Sequence, residues 1–200
     1  MRRNVGAHSR GERTLRLVEC SLVAVGTWFL ATAALGYAEA RHAQGRLDDA
    51  LRTTARAGAT SPASVTAGAP FPWRLTVPRL RLSVAVMEGA SARTLAVAAG
   101  HILGTRRPGQ RGAIGIAAHR DTFFRPLRGV RPGDLVSVET PRGRFDYVVE
   151  SVAVVAPDDT RALRSTRSDA LVLVTCFPFT FVGAAPKRFV VRCVPAQGVH

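Results

Sequence analysis

LVLVTCFP, residues Leu171 to Pro178, is the stretch on which the reading of the chain turns. Leu171 to Thr175 is an apolar, β-branched run of the kind that makes a buried strand, and Pro178 closes the segment soon after Cys176. Cys176 therefore sits at a strand end. Such a position holds a side chain rigidly from behind and leaves it open in front, which suits a nucleophile better than a core filler.

Working outward, the segments around it also read as strands. WRLTVP from Trp73, LSVAVMEG from Leu82, AIGIAAH from Ala113 to His119, LVSVET from Leu135 and KRFVVRCV from Lys187 are short alternating or apolar runs. LVSVET and RFDYVVESVAVV form a hairpin around Pro141 to Gly143. Ser91 to Gly100 reads as one short helix capped by Ser91, TFFRPLRGV as an irregular or helical link, and DDTRALR as a helical turn. Seven or eight short strands with few helical turns predict a mostly β protein, a closed or nearly closed β-barrel in preference to an α/β sheet.

Upstream of Trp73 the character differs. Residues 1–16 are a polar tail carrying Arg2, Arg3, Arg10, Arg13 and Arg16 against Glu12. Residues 17–38 are almost wholly apolar, and at about 1.5 Å per helical residue they span a bilayer core of about 30 Å. Glu19 lies close enough to one end to reach water, and Tyr37 sits where an interface aromatic belongs. Ala31-Thr32-Ala33 resembles a signal-peptide cleavage site, but the apolar run continues past it, which favours an uncleaved anchor. The basic tail places the N-terminus in the cytoplasm and the bulk of the chain outside it, in a single-pass arrangement. Residues 39–72 read as a short charged helical stalk followed by a flexible Pro/Gly-rich linker, and residues 73–200 as the folded body.

The formal charge of +14 comes mostly from arginine, with Lys187 the single lysine. Nucleic acid is the usual partner of such a balance. No recognition helix, RNA-binding signature or basic and aromatic alternation accompanies it here, and anionic lipid or an acidic cell envelope attracts the same charge. The three cysteines, Cys20, Cys176 and Cys193, make no disulfide framework, and Cys193 reads as a small buried thiol. No CxxC or HExxH spacing occurs, so no metal or other cofactor is expected.

A thiol that attacks an amide needs a proton acceptor or acid, a group that stabilises the oxyanion, and room for the acyl group. His119 closes the strand AIGIAAH and, like Cys176, emerges where a buried strand meets a loop. Arg188 opens the last strand after FPFTFVGAAPK. Three such residues on three elements can converge at one barrel rim. Asp121, which follows His119 closely, reads as a turn residue or an ion-pair partner of Arg120 or Arg125.

Three segments, LVTC at Leu173 to Cys176, AAHRDTFFRPL at Ala117 to Leu127 and PKRFVV at Pro186 to Val191, resemble in wording and order the signature segments of sortases, the membrane-anchored cysteine transpeptidases of bacterial surfaces. The wording HRDTFF and APKRF is most similar to class D sortases. The resemblance covers about Leu75 to Val194. It implies an eight-stranded β-barrel with Cys176 as nucleophile, His119 as general acid/base and Arg188 stabilising the oxyanion or orienting substrate. It also implies that Thr175 helps hold the substrate backbone and that the loop bearing His101 lines the substrate groove. Val172 stands where the family has threonine, while Leu173 and Thr175 are kept. Placing the guanidinium on Arg188 follows the RFVV register, which turns Lys187 to the other face. The implied partners are secreted proteins with a C-terminal LPxTx-like sorting signal and an amine acceptor from a peptidoglycan precursor or a pilin. Two other readings are a membrane-tethered basic barrel that binds anionic envelope polymers without catalysis, and an L,D-transpeptidase. The second lacks its expected spacing before the cysteine.

Overall fold

The computed structural model describes residues 70–164, 169–181 and 183–196 and, upstream, residues 18–32 with isolated positions between 34 and 53. The basic tail of residues 1–16 and nearly all of the expected stalk and linker lie outside the described residues. Residues 18–32 are helical, with Leu22, Val23, Trp28, Phe29 and Leu30 all exposed. Among the described residues no helix is long and apolar enough to cross a membrane. Residues 18–32 alone rise about 22 Å, short of the ~30 Å hydrocarbon layer.

Eight strands form a closed barrel: β1 (Trp73–Val77), β2 (Leu82–Glu88), β3 (Ala99–His101), β4 (Ala113–Ala117), β5 (Leu135–Thr140), β6 (Gly143–Val155), β7 (Ala170–Phe177) and β8 (Lys187–Pro195). Around the barrel the order is β1-β2-β3-β4-β7-β8-β6-β5, and the β1–β5 pairing closes the ring. The expected hairpin is β5–β6, joined by Pro141 and Arg142. The expected links are 3-10 turns at Arg125–Gly129 and Arg161–Leu163.

Alternation along each strand separates an inner from an outer face. Leu171 and Leu173 of β7, Phe189, Val191 and Cys193 of β8, and Ile114 and Ile116 of β4 fill the interior with Trp73, Leu75 and Val138. The opposite parity of β7 and β8 faces outward, where Ala170, Val172 and Val190 form a smaller apolar cluster covered by Val155, Ala162 and Leu163. Gly115 of β4 makes room for that cover: a Cβ there would stand 2.8 Å from Leu163 Cδ2.

One element departs from the sequence expectation. The helix runs only over Ala92–Val97, with the Ser91 hydroxyl accepting from Thr94 N at 3.1 Å, and Ala99–His101 instead forms β3, parallel to β2. Alanine-rich sequence has high helix propensity, but here pairing with Val86, Met87 and Glu88 overrides it. Gly100 permits this, because a Cβ on it would lie 2.3 Å from the Gly89 carbonyl oxygen, a backbone atom that cannot swing away. Gly100→Ala should therefore cost about 1–3 kcal/mol as an overpacked contact. A fall of several degrees in Tm by calorimetry is the expected reading; an unchanged Tm would show that Gly89 relaxes freely.

Candidate active site

Strand direction builds the site. β4 and β7 are parallel neighbours, so their C-terminal ends reach the same rim, and β8 runs antiparallel to β7, so its N-terminal end arrives there too. Cys176 lies near the end of β7 and is the direct register partner of Arg188 at the start of β8. Both have outward parity, alongside Val172 and Val174 on one strand and Val190 and Arg192 on the other.

The third residue follows from the β4–β7 register. Ala117 pairs with Val174, and the pairing continues beyond the strand as Ala118 N donates to the Val174 carbonyl at 3.3 Å. His119 is the next residue, on the segment that leaves β4 at the rim where β7 ends. Parity agrees, since Ile114, Ile116 and Ala118 face the core and the next residue in the alternation faces out. His119 is exposed, and its carbonyl accepts from Phe124 N at 3.0 Å, which starts the turn into Arg125–Gly129. Cys176 and Arg188 thus face each other on β7 and β8, and His119 lies two residues beyond the end of neighbouring β4, on the segment that leaves that strand at the same rim.

The thiols divide as their faces require. Cys176 is partly exposed and free, whereas Cys193 is free but fully buried in the barrel, opposite Leu171. Burial pushes the Cys193 thiol up to about 12, so it is protonated and shielded at neutral pH. Behind the rim, Phe177, Phe179 and Phe189 pack together, with the Phe179 and Phe189 rings edge to face at 5.1 Å. The Arg188 guanidinium is steadied by its own approach segment, Nη1 donating to the carbonyls of Ala185 at 3.2 Å and Lys187 at 3.1 Å.

Thr175 has inward parity and is 3% exposed. Its hydroxyl donates to the Ala118 carbonyl at 2.7 Å, fastening the end of β7 to the segment that presents His119. Thr175→Val keeps the shape but removes that bond and leaves a buried carbonyl unpaired, a loss of about 1–3 kcal/mol. Urea denaturation should show that cost together with slower thiol chemistry at Cys176; a fully stable variant would mean that the Ala118 carbonyl finds another donor.

The structure does not bring His101 to the rim. It lies on β3 with its ring in the interior, 5.1 Å from the Trp73 ring and 5.6 Å from that of Phe71, and it is 3% exposed. The Thr105 hydroxyl donates to the Ile102 carbonyl at 2.7 Å, so the His101 Nε2–H is the donor toward Thr105 Oγ1 and the Arg106 carbonyl, each at 3.0 Å. Nδ1 has no partner among the described residues, and burial holds this imidazole below its ordinary pKa. The placement is that of a neutral core histidine. Glu88 is paired with Arg107 and Asp159 with Arg161.

Of the two readings of Asp121 the structure bears out the first, since it lies in the turn that follows His119. Among the described residues Asp121 forms no ion pair with Arg120 or Arg125. Arg120 instead reaches across to the β7–β8 connection, where Nη2 donates to the carbonyls of Phe181 at 2.7 Å and Gly183 at 3.1 Å. The sequence signal available for it was only its position directly after His119.

This arrangement has relatives. A family model described as the sortase domain matches residues 75–196. Sortase D of Bacillus subtilis (strain 168) is 32% identical over 118 residues, a match that takes in 58% of this chain and 60% of that protein. The chain thus spans about three fifths of the length of this curated relative. Among solved structures, sortase C-1 from Actinomyces oris superposes with a TM-score of 0.58 at 27% identity, covering 63% of this chain and 73% of the other. A Clostridium perfringens Sortase D5 transpeptidase superposes at 0.62 and 20% identity, covering 76% of this chain and 98% of that one, a likeness of fold. With the domain matched from β1 to the end of β8, and with class D similarity in sequence, the chain belongs to the sortase family.

Proposed function

We propose that the protein is a membrane-anchored sortase whose reacting groups are Cys176, His119 and Arg188. The observation that supports this reading is the register: Cys176 opposite Arg188 on β7 and β8, with His119 two residues beyond the end of β4, the parallel neighbour of β7. Sortases are cysteine transpeptidases that act on sorting-signal proteins and amine acceptors. The chemistry assigned to these three residues is a two-step acyl transfer. Cys176 Sγ, as thiolate, attacks the backbone carbonyl of an LPxTx-like signal near the C-terminus of a secreted protein, forming a C–S bond. The Arg188 guanidinium stabilises the developing oxyanion. The C–N bond then breaks as protonated His119 gives its proton to the leaving amine, and a thioester remains. An amine from a peptidoglycan precursor or a pilin attacks that thioester, His119 takes its proton, the C–S bond breaks, and the thiolate returns.

The anchor is part of the proposal. Exposed apolar side chains along residues 18–32 support it, and so do Thr27 and Thr32, whose hydroxyls donate back to the Val23 carbonyl at 2.7 Å and the Phe29 carbonyl at 3.0 Å. A hydroxyl satisfied within its own helix is tolerated in lipid. The tail inside and the barrel outside the cytoplasmic membrane would put Cys176 where secreted proteins emerge.

The deciding experiment incubates the full chain in detergent with a library of LPxTx-type peptides and reads the intact mass. The expected result is an acyl adduct on Cys176 that hydroxylamine releases. No adduct across the library would overturn the reading.

A further inference from the structure

The segment between β7 and β8 carries the chain from Cys176 to Arg188; Phe179 packs its first part against Phe177 and Phe189, while the described residues around Phe181 and Gly183 lie further from the core. Among the described residues, side-chain hydrogen bonds into it come from two arginines. Arg188 Nη1 bonds the Ala185 carbonyl at the near end. Arg120, from the far side of the site, takes both Phe181 and Gly183 carbonyls on one nitrogen and lies over the Phe181 ring, its guanidinium carbon 5.9 Å from the centroid. Phe181 is itself 44% exposed, so its ring is only partly covered by the barrel. Gly183, with φ +94°, sits in the left-handed region at the bend the second bond grips.

Arg120 holds this post at a cost. Its Nη1 is buried with no hydrogen-bond partner among the described residues. A charged N–H shut away from water without an acceptor opposes folding.

We propose that Arg120 is a positioning residue: adjacent in sequence to His119, it clamps the β7–β8 connection across the rim and so fixes the wall beside Cys176 against which the acyl donor is oriented. The assignment rests on the proposed roles of Cys176, His119 and Arg188. A clamp of this kind acts on alignment of a large substrate and leaves the intrinsic reactivity of the thiol alone.

The test compares the full-length wild type with Arg120→Ala, Arg120→Lys and Arg120→Gln, the last keeping the stem and one amide donor should the alanine variant not fold. Amide hydrogen exchange over residues 178–186 should quicken at least about tenfold in Arg120→Ala, as expected when a segment loses its tether. The kcat/KM for an accepted peptide should fall about 10- to 100-fold, mainly through KM, while iodoacetamide alkylation of Cys176 stays within about twofold. Lysine, a point charge without the planar fork, should restore at most a few-fold. Unchanged exchange would overturn the clamp. So would quicker exchange with unchanged kcat/KM, or a parallel fall in alkylation, which would place Arg120 in the thiol chemistry itself. If the wild type acylates no peptide, the transferase reading fails, and the exchange rates still decide whether Arg120 holds the segment.

Discussion

Cys176→Ala should abolish thioester formation and lower transfer by at least about 10⁴-fold, the scale on which loss of a nucleophile acts. The fold should survive, because the thiol is partly exposed on the outer face and the change opens no cavity in the core. Cys193→Ala is the matched control with the opposite signature. That thiol is fully buried, so its loss should lower Tm modestly and leave transfer intact. Thiol labelling separates the two without any substrate. In a Cys20→Ser background, needed because Cys20 is exposed, iodoacetamide at pH 8 followed by peptide mapping should modify Cys176 and spare Cys193, whose thiol is pushed up to about 12. Modification of Cys193 in the native protein at a rate near that of Cys176 would contradict the placement of both.

His119→Ala should lower acyl transfer by about 10²–10⁴-fold, the contribution expected of a general acid/base. Both half-reactions suffer, since the leaving amine loses its proton donor and the incoming amine loses its acceptor. Tm should barely move, because the side chain is exposed and, among the described residues, the hydrogen bond to His119 is to its backbone carbonyl, from Phe124 N. His101→Ala makes the contrast: it empties a buried site against the stacked rings of Phe71 and Trp73 and should destabilise the barrel well before it alters the chemistry. Single-turnover acylation measured beside calorimetry distinguishes the two histidines. Acylation by His119→Ala within tenfold of wild type would remove it from the mechanism.

Some of this was legible in the sequence because the physics is local. An apolar, β-branched run such as Leu171 to Thr175 has little choice but to be a strand, and its breadth of apolar character marks a strand covered on both faces. The structure bears that out, with Leu171 and Leu173 inside and Val172 under the 3-10 turn at Arg161–Leu163. Alternation also separated Phe189 and Cys193 from Arg188 and Arg192. The adjacency of β4 and β7 was not legible from local pattern, since parallel partners joined by a long crossover leave no mark on either strand, and the resemblance alone implied that His119 and Cys176 meet. β3 was lost for a different reason: a three-residue strand is too short to show a period, and its alanines carry a helical preference. His101 and Arg120 mark the limit on side chains. One is buried by Phe71, thirty residues upstream, and the other bonds to carbonyls some sixty residues downstream.

The parity of β7 gives the chain an uneven tolerance to insertion and deletion. Because inner and outer positions alternate, removing one residue between Leu171 and Thr175 with the N-terminal pairing kept would turn the thiol into the barrel and carry Thr175 or Phe177 to the surface in its stead. Lengthening residues 178–186 or the connections before β4 and β7 leaves that phase untouched. Variation in length among descendants of this gene should therefore collect in the connections and spare the strands: the reading frame of the pleat, as much as the identity of any residue, is what such a lineage has to preserve.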